Sequence, residues 1–209
     1  FRSSPQLIKN RNFYTQGEML HNAAGVAPSW AGISPYYSIR GFRTRSSFRN
    51  GVNGYVASDM DPVSTAQLEV IKGPSAVIFG GGGATMITFG GLINRVTVKP
   101  QHTTFADISA TGGSYNLQRA TLDINRPLDK DAKVLARLTG AYTYNGSFQD
   151  QGFSKTFFLA PSISYKISDD LNIQLDAEIL NKTATNNPLY QVALGTAKSA
   201  DELNLDYLR

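Results

Sequence analysis

Arginines crowd one short stretch of the chain. They are Arg40, Arg43, Arg45 and Arg49. Clustered guanidinium groups suit an anionic ligand, an internal ion-pair network or nucleic acid. The whole chain carries a formal net charge of only +4, which a solvated surface explains equally well. The cluster therefore indicates a candidate binding region and leaves its chemistry open.

The other reactive residue types argue against catalysis. Cysteine is absent, which excludes thiol chemistry, disulfides and cysteine metal sites. His21 and His102 lack metal-ligand spacing, and we interpret both as structural rather than as haem ligands. No Ser-His-Asp or His-Glu-x-x-His pattern occurs, and Gly80–Gly83 lacks the Lys-Ser/Thr that completes a phosphate loop. We therefore expect no enzyme, no metal site and no cofactor.

The first hundred residues mix helix and strand signals. Thr15 and Glu18 have capping-box spacing, and Gly25 follows where a helix would stop, so we predict a helix over Thr15–Ala24. Ser75–Ile78 fits either a helical turn or a strand. The remaining predictions are a strand over Ser38–Phe42, a polar loop over Arg43–Arg49, a turn at Asn50-Gly51, a helical turn after Asp61-Pro62, and strands over Gln67–Lys72 and Leu92–Val98.

Residues 101–181 alternate apolar and polar side chains with period 2, which predicts five consecutive β-strands. Tight polar turns at Asp129–Asp131 and Ser168–Asp170 flank a longer loop over Asn145–Ser154. The last three apolar rows span about 9–11 residues, the length of a tilted membrane-crossing strand. Alternation alone fits a soluble β-sandwich nearly as well. Strand length and charged inner rows favour a transmembrane β-barrel.

Four ordered motifs make the assignment specific. They are Ser38–Phe42 (SIRGF), Arg49–Val52 (RNGV), Leu68–Gly80 (LEVIKGPSAVIFG) and Gly90–Pro100 (GGLINRVTVKP). Together they resemble the plug signatures of TonB-dependent outer-membrane receptors, siderophore branch, and the likeness extends over roughly Gln16–Tyr190. The stretch Gly81–Phe89 departs from the family by being longer and more apolar.

The resemblance implies an α+β plug domain over residues 1–100, followed by antiparallel transmembrane β-barrel strands over 101–209. Such barrels have about 22 strands, so we expect the chain to be a fragment of a longer protein. No signal peptide or TonB box is recognisable in it. The implied location is the bacterial cell outer membrane.

The implied function is energy-coupled import of a ferric siderophore, the transported ligand rather than a cofactor. The implied partners are the TonB energy-coupling complex and outer-membrane lipid, with no nucleic acid. Family members place ligand contacts at the plug apices, which here gives Trp30, Tyr36, Tyr37, Arg43, Arg45, Ser46, Ser47 and Tyr55. The loop containing Asn186, Pro188 and Tyr190 is a further candidate. By the same resemblance, Arg40, Glu69 and Lys72 belong to a plug–barrel ion-pair network.

Two alternatives stay open. A receptor of the same family could import haem, cobalamin or oligosaccharide, although the glycan importers carry KDASA where this chain has Lys72–Ala76 (KGPSA). A soluble β-rich binding or adhesion module would instead pack its apolar rows against each other. Nucleic-acid binding is a distant third, because the arginines are few and interrupted.

Overall fold

The computed structural model describes residues 1–3, 5–11, 13–31, 34–44, 46–53, 60–73, 90–148 and 152–185. Its helices are α1 (Pro5–Arg11), α2 (Gln16–Leu20) and a 3₁₀ helix (Pro62–Ser64). Its strands are β1 (Val26–Ala31), β2 (Ser34–Ile39), β3 (Phe42–Thr44), β4 (Ser46–Arg49), β5 (Val52–Asn53), β6 (Thr65–Lys72), β7 (Gly91–Thr97), β8 (Phe105–Gly113), β9 (Leu117–Pro127), β10 (Val134–Gly146), β11 (Phe153–Lys166), β12 (Asn172–Asp176) and β13 (Ile179–Ala184). The predicted ambiguous segment Ser75–Ile78 lies outside the described residues.

The capping box predicted for α2 is confirmed, while the helix is shorter than predicted. The Thr15 hydroxyl accepts from the Glu18 N–H, and the Glu18 carboxylate accepts from the Thr15 N–H. The helix ends at Leu20 with His21 as its C-cap, because the chain then continues in turns, with the Ala23 N–H donating to the Leu20 carbonyl. Among the described residues, no helix is long and apolar enough to span a membrane.

Strands β1, β2 and β3 form a three-stranded antiparallel sheet, here called the hairpin sheet. The predicted strand Ser38–Phe42 is wrong, because Arg40 and Gly41 both have positive φ (54° and 86°) and turn the chain between β2 and β3. Ile39 pairs directly with Phe42 across them. A two-residue turn with positive φ at both positions is the type I′ geometry of tight hairpins. The IRGF motif is therefore a hairpin turn.

Strands β4 to β7 form a four-stranded sheet in the order β5-β4-β7-β6, here called the mixed sheet, since β4 and β7 run parallel. The polar loop predicted over Arg43–Arg49 is wrong: these residues supply most of β3 and β4. The turn at Asn50-Gly51 is confirmed, with φ of 52° and 79° joining β4 to β5. The chain's first residues extend this sheet, since the Val70 N–H donates to the Phe1 carbonyl.

A hydrophobic core joins the helices to both small sheets. Its fully buried members include Met19, Leu20, Ile39, Leu68 and Ile93. They come from α2, β2, β6 and β7, each element contributing one apolar face. Burial of apolar side chains is the main favourable term in such packing. Residues 1–97 of the described chain therefore fold around one core.

Strands β8 to β13 form a continuous antiparallel meander, here called the meander sheet, in the order β8-β9-β10-β11-β12 with β13 also paired to β11. The fifth predicted strand appears as two segments, β12 and β13. Both keep one register, since Asp176 pairs with Ser162 and Ile179 pairs with Leu159. Regular strand geometry lapses only at Ala177 and Glu178, where the Ala177 N–H still donates to the Pro161 carbonyl, so the two segments are one interrupted strand.

The two faces of the meander sheet are reversed relative to a water-soluble protein. Its apolar rows are exposed; they include Ile108, Phe157, Ile163, Tyr165, Ile173, Leu175 and Ile179. Its polar row is buried against the rest of the protein and includes Arg119, Asn125, Thr139, Ser162 and Ser164. The soluble alternative required the apolar rows to pack on each other, and the structure contradicts it. An exposed apolar face suits contact with lipid.

The two tight turns of the meander sheet are confirmed. The Asp129 carboxylate accepts from the Lys133 and Val134 N–H groups, and these hydrogen bonds, chiefly that of Val134, hold the pKa of Asp129 below its usual value. At the second turn the Ile167 N–H donates to the Leu171 carbonyl. The loop after β10 is shorter than predicted, because both flanking strands extend into Asn145–Ser154.

Substitutions on opposite faces of β12 test directly whether the exposed apolar row faces lipid. Leu175→Arg is expected to destabilise the full-length protein by about 2–4 kcal/mol, the cost of a charge on the lipid face of a barrel. Gln174→Arg, one residue away on the polar face, is the matched control and should cost much less. Urea unfolding of the protein in phospholipid vesicles measures both. Equal destabilisation of the two variants would show that β12 does not separate lipid from protein.

Candidate functional site

Two arginines of the mixed sheet converge on one carboxylate of the meander sheet. Arg49 ends β4, Arg95 lies beside it on β7, and the two residues pair across the parallel strands. Glu178 lies in the lapse between β12 and β13. Alternation places Glu178 on the buried polar row together with Asp176. The fold thus brings charges together that are 129 and 83 residues apart in sequence.

The Glu178 carboxylate is buried and accepts several hydrogen bonds. Arg95 is bidentate, with Nη1 at 2.7 Å from Oε1 and Nη2 at 2.6 Å from Oε2. Arg49 Nε donates to Oε2 at 2.9 Å and also pairs with Asp176. The Ser64 hydroxyl adds a hydrogen bond of 3.2 Å. Since the Arg95 side chain is only 2% exposed and that of Glu178 only 8%, water screens this cluster weakly.

A second ion pair, made by Arg119, joins the meander sheet to Asp61 at the start of the 3₁₀ helix. Its Nη1 and Nη2 each lie 2.7 Å from one oxygen of Asp61, and both side chains are 4% exposed. Asp61 also caps the 3₁₀ helix by accepting from the Val63 N–H. The Thr143 hydroxyl of β10 accepts from Arg119 Nη1 at 2.7 Å. This pair fixes the start of the 3₁₀ helix against β9 and β10.

Hydrogen bonds within the mixed sheet hold the arginine-bearing strands in place. The Asn94 side chain donates to Glu69 at 2.8 Å and accepts from the Gly51 N–H at 2.9 Å. Asn50 accepts from the Thr97 N–H at 2.9 Å. These contacts tie β4, β6 and β7 to the Asn50-Gly51 turn, so Arg49 and Arg95 are presented side by side.

A third pair lies within the meander sheet. Arg137 of β10 binds Asp123 of β9 through two hydrogen bonds of 2.8 and 2.7 Å, and its Nη1 donates to the Lys99 carbonyl at 2.9 Å. Asn125 donates to the carbonyls of Gln101 and Thr103. Residues 99–103, which connect the two halves of the chain, are therefore anchored on the polar face of the meander sheet.

These ion pairs can hold the mixed sheet and the 3₁₀ helix reversibly against the meander sheet. Among the described residues, the apolar contact beside the ion pairs is small and joins Met60 and Val63 to a cluster on the meander sheet, Ala141, Phe158, Ala160 and Leu180. Charged groups regain hydration when they separate, which offsets part of the free energy of the lost ion pairs. Separating an apolar contact would instead expose its surface to water. Within the described ranges, no group of His, Cys, Asp or Glu side chains could hold a metal ion.

The residues expected to form the plug–barrel ion-pair network, Arg40, Glu69 and Lys72, are not members of the plug–wall ion pairs described above. Glu69 is half-buried and contacts Asn94, Gln67 and Arg2. Arg40 is exposed at its turn, and Lys72 is half-buried at the end of β6. The ion pairs among the described residues include neither of these two cations. Their pairing with a barrel wall stays a prediction.

The residues expected to contact ligand fall into four groups. Tyr36 and Arg43 lie on neighbouring strands of the hairpin sheet, with the guanidinium carbon 4.3 Å from the ring centroid. Tyr37 is 2% exposed and packs in the hydrophobic core, which does not favour ligand contact. Trp30 lies on β1, and Ser46 and Ser47 on β4. Arg45, Tyr55, Asn186, Pro188 and Tyr190 lie outside the described residues.

The comparisons with known proteins bear on both halves of this site. The family model described as the TonB-dependent receptor plug domain matches residues 3–86, which include the hairpin sheet and most of the mixed sheet. The chain carries a TonB-dependent receptor plug domain. The hairpin and mixed sheets with their helices are the plug, and the meander sheet is the beginning of the barrel wall.

Relatives of this chain include the metal-pseudopaline receptor CntO of Pseudomonas aeruginosa, 34% identical over 120 residues, which are 57% of this chain and 16% of that protein. The catecholate siderophore receptor Fiu of Escherichia coli K12 is 28% identical over 192 residues, 88% of this chain and 24% of that protein. The structure of the ferric-catecholate import receptor Fiu from Escherichia coli K12 in its closed form matches with a TM-score of 0.79 at 25% identity, over 90% of this chain and 26% of that chain.

The chain spans only about a quarter or less of each of these relatives. The likeness therefore covers the plug and the first wall strands of the receptor. It extends across both sides of the interface that carries the ion pairs.

Sequence reasoning missed the residues that join plug to wall. Arg95 appeared only inside a family-like string, Glu178 only as one polar member of an alternating row, and Asp61 only as a turn residue. One signal was available: a carboxylate on an inward row of a barrel strand needs a cation. That signal does not specify which cation, because the partner depends on how the plug docks.

Proposed function

We propose that this chain is the N-terminal part of a receptor that imports a ferric siderophore through a plugged barrel, energised by the TonB complex. The observation that carries the proposal is the convergence of Arg49 and Arg95 on Glu178. A plug held to its wall by buried charge, with little apolar seal, is suited to being displaced and restored. The division of the chain at residue 100 and the contact with outer-membrane lipid are parts of the same proposal.

The cargo assignment rests on the relatives. Receptors for catecholate siderophores and for ferrioxamine B match this chain over 83–88% of its length. Exposed Arg43 and half-buried Tyr36 offer a cation and an aromatic face, which suit a bulky anionic chelate. No bond chemistry is proposed, so selectivity between chelates is selectivity of binding.

Growth under iron limitation tests the cargo. A strain that lacks the full-length gene should fail to grow on one class of ferric siderophore supplied singly, and the gene should restore that growth. Indifference to every ferric siderophore would contradict the assignment.

A metal chelate other than a ferric siderophore is the second candidate. It is favoured by the 34% identity to a receptor named for metal-pseudopaline, which is higher than the identity to the catecholate receptor. Supplying other transition metals with their chelators in the same strains distinguishes the two. Growth that depends on the gene only with a non-iron metal would select this candidate.

Arg43 should contribute to ligand affinity at the plug. Arg43→Ala is expected to weaken binding of the siderophore identified by growth about 3- to 30-fold, the range of a partly desolvated cation–π contact. Arg126→Ala removes an exposed arginine of β9, outside the hairpin sheet, and serves as the control. Equilibrium binding to the purified receptor measures both. Equal affinities in the two variants would remove Arg43 from the ligand site.

A further inference from the structure

Pro161 lies near the middle of β11, in the interior of the meander sheet. The strand spans Phe153–Lys166 and is paired on both sides, with β10 on one side and with β12 and β13 on the other. Proline cannot donate to a sheet ladder, and within sheets it is normally confined to edge strands, strand starts and bulges. A proline inside a strand that is paired on both sides therefore requires a physical explanation.

The missing N–H of Pro161 accounts for the break between β12 and β13. Pairing on both sides of the break keeps one register, which places Ala177 opposite Pro161 and Glu178 opposite Ala160. The Ala177 N–H donates to the Pro161 carbonyl at 3.0 Å. Residues that face each other in this way normally exchange two hydrogen bonds, but Pro161 has no N–H to donate to the Ala177 carbonyl. One hydrogen bond of the ladder is thus absent beside Glu178.

The partners of Glu178 on the plug are held in place by the mixed sheet. Arg95 is only 2% exposed and lies on β7, which is paired with β4 and with β6. Arg49 ends β4, and the Asn50 side chain joins the following turn to the Thr97 N–H at 2.9 Å. Neither guanidinium group can move far without breaking hydrogen bonds of the mixed sheet. The wall must therefore bring the carboxylate to the arginines.

The Glu178 carboxylate requires accurate placement because it accepts four hydrogen bonds among the described residues. Two come from Arg95, at 2.7 and 2.6 Å, one from Arg49 at 2.9 Å and one from Ser64 at 3.2 Å. Bidentate pairing of arginine with a carboxylate depends on orientation as well as distance. A segment held by every ladder hydrogen bond takes the position that the sheet dictates. A segment with one such bond fewer can adjust toward the plug.

We propose that Pro161 is a positioning residue for Glu178. Because Pro161 leaves the Ala177 carbonyl without its ladder donor, the segment that carries Glu178 can settle against the two arginines of the mixed sheet. The wall gives up one backbone hydrogen bond, and the plug–wall ion pairs gain a closer fit. This inference concerns how the plug is held, so it goes beyond the proposed import of a siderophore and does not depend on the cargo.

Hydrogen exchange of the full-length protein in detergent micelles, read by mass spectrometry, tests the proposal. Pro161→Val restores the N–H with a side chain of similar size, and Pro161→Ala restores it with a smaller one. In both variants, amides of residues 177–179 should exchange about 3- to 10-fold more slowly, the factor of one added hydrogen bond. Amides of β6 and β7 should exchange about 3- to 10-fold faster, because Glu178 is drawn away from its arginines. A proline with a merely structural role would not move the two regions in opposite directions.

Two comparisons show whether Pro161 acts through Glu178. Pro127→Ala is the matched control, because Pro127 ends β9, a wall strand that does not adjoin β12 or β13. This control should leave both regions at the native exchange rate. In a Glu178→Gln background, Pro161→Val should cause no further change in β6 and β7, because the carboxylate that it positions is already lost.

Native or slower exchange of β6 and β7 in both Pro161 variants would overturn the proposal. Unchanged exchange at residues 177–179 would also overturn it, because the ladder would then not have closed. The same acceleration of β6 and β7 in Pro127→Ala, or a fully additive effect in the Glu178→Gln background, would show that Pro161 does not act through Glu178.

Discussion

The Glu178→Gln variant is expected to lose about 3 kcal/mol of the free energy that holds the plug against its wall, the lower end of the cost of breaking a buried ion pair. Glutamine keeps the size of the side chain but removes its charge. Arg95, 2% exposed and bidentate on Glu178, would then be a buried cation with no carboxylate. Arg49 would keep Asp176. We expect amides of β6 and β7 to exchange about 100-fold faster as the plug separates from the wall.

The matched control for this variant is Asp123→Asn. It breaks the Arg137–Asp123 pair, whose two members both lie in the meander sheet. Hydrogen exchange of β6 and β7 should stay near the native rate in this control, because no plug–wall contact is removed. Equal exchange of β6 and β7 in both variants would show that Glu178 does not hold the plug.

The second large effect is expected at Gly91. This residue has φ of +139° and pairs with Lys72, and a Cβ built on it would lie 2.2 Å from the Ile71 carbonyl oxygen. Gly91→Ala must therefore separate β6 from β7 or distort both strands. Backbone strain of this kind costs about 1–3 kcal/mol, and the clash with backbone adds to it. We expect the plug to lose its fold and become sensitive to protease.

Gly51→Ala separates the two causes of that effect. Gly51 also has positive φ, +79°, but a Cβ there would meet nothing within 4 Å. Its substitution should cost only the conformational penalty of about 1–2 kcal/mol, leaving the plug protease-resistant. Limited proteolysis of the receptor in outer-membrane fragments compares the two. Equal resistance of both variants would mean that the strands β6 and β7 can part at Gly91 without unfolding.

Local signals in the sequence predicted local structure well. The capping box of Thr15 and Glu18 was recognisable because both partners lie within one helical turn. The Asn50-Gly51 turn was recognisable because these two residue types tolerate positive φ. The alternating rows predicted the strands of the meander sheet and their two faces, since period 2 is a property of each strand alone.

The hairpin at Arg40-Gly41 was mispredicted because propensity and fold disagree there. Ile39 and Phe42 read as one continuous strand, and arginine seldom adopts positive φ. In the structure, the positive φ of Arg40 (54°) and Gly41 (86°) reverses the chain, so that Phe42 pairs with Ile39 instead of continuing its strand. The following stretch, Arg43–Arg49, is rich in arginine and serine, and its strands β3 and β4 form through pairing with β2 and β7 rather than through propensity.

The plug–wall site depends on the docking of two halves and was therefore beyond local inference. Arg95 and Glu178 are 83 residues apart, and Asp61 and Arg119 are 58 apart. Each is an ordinary polar member of its own strand or turn. Only the placement of the mixed sheet against the polar face of the meander sheet decides which cation meets which carboxylate.

The charged interface affects how the plug and the wall separate. Separating the plug from the wall replaces ion pairs by hydrated charges, so the resistance to displacement is concentrated in a few contacts. Among the described residues, those contacts include the carboxylates of Glu178 and Asp61.

Energy-dependent accumulation of radiolabelled iron tests the central claim most directly. Cells that express the full-length receptor would be given the iron-55 complex of the siderophore identified by growth, with and without a collapsed proton gradient, and with and without TonB. We predict that the complex binds to the cell surface in every case and that iron enters only energised cells that possess both the receptor and TonB. Entry at the same rate without TonB or without a proton gradient would contradict the account.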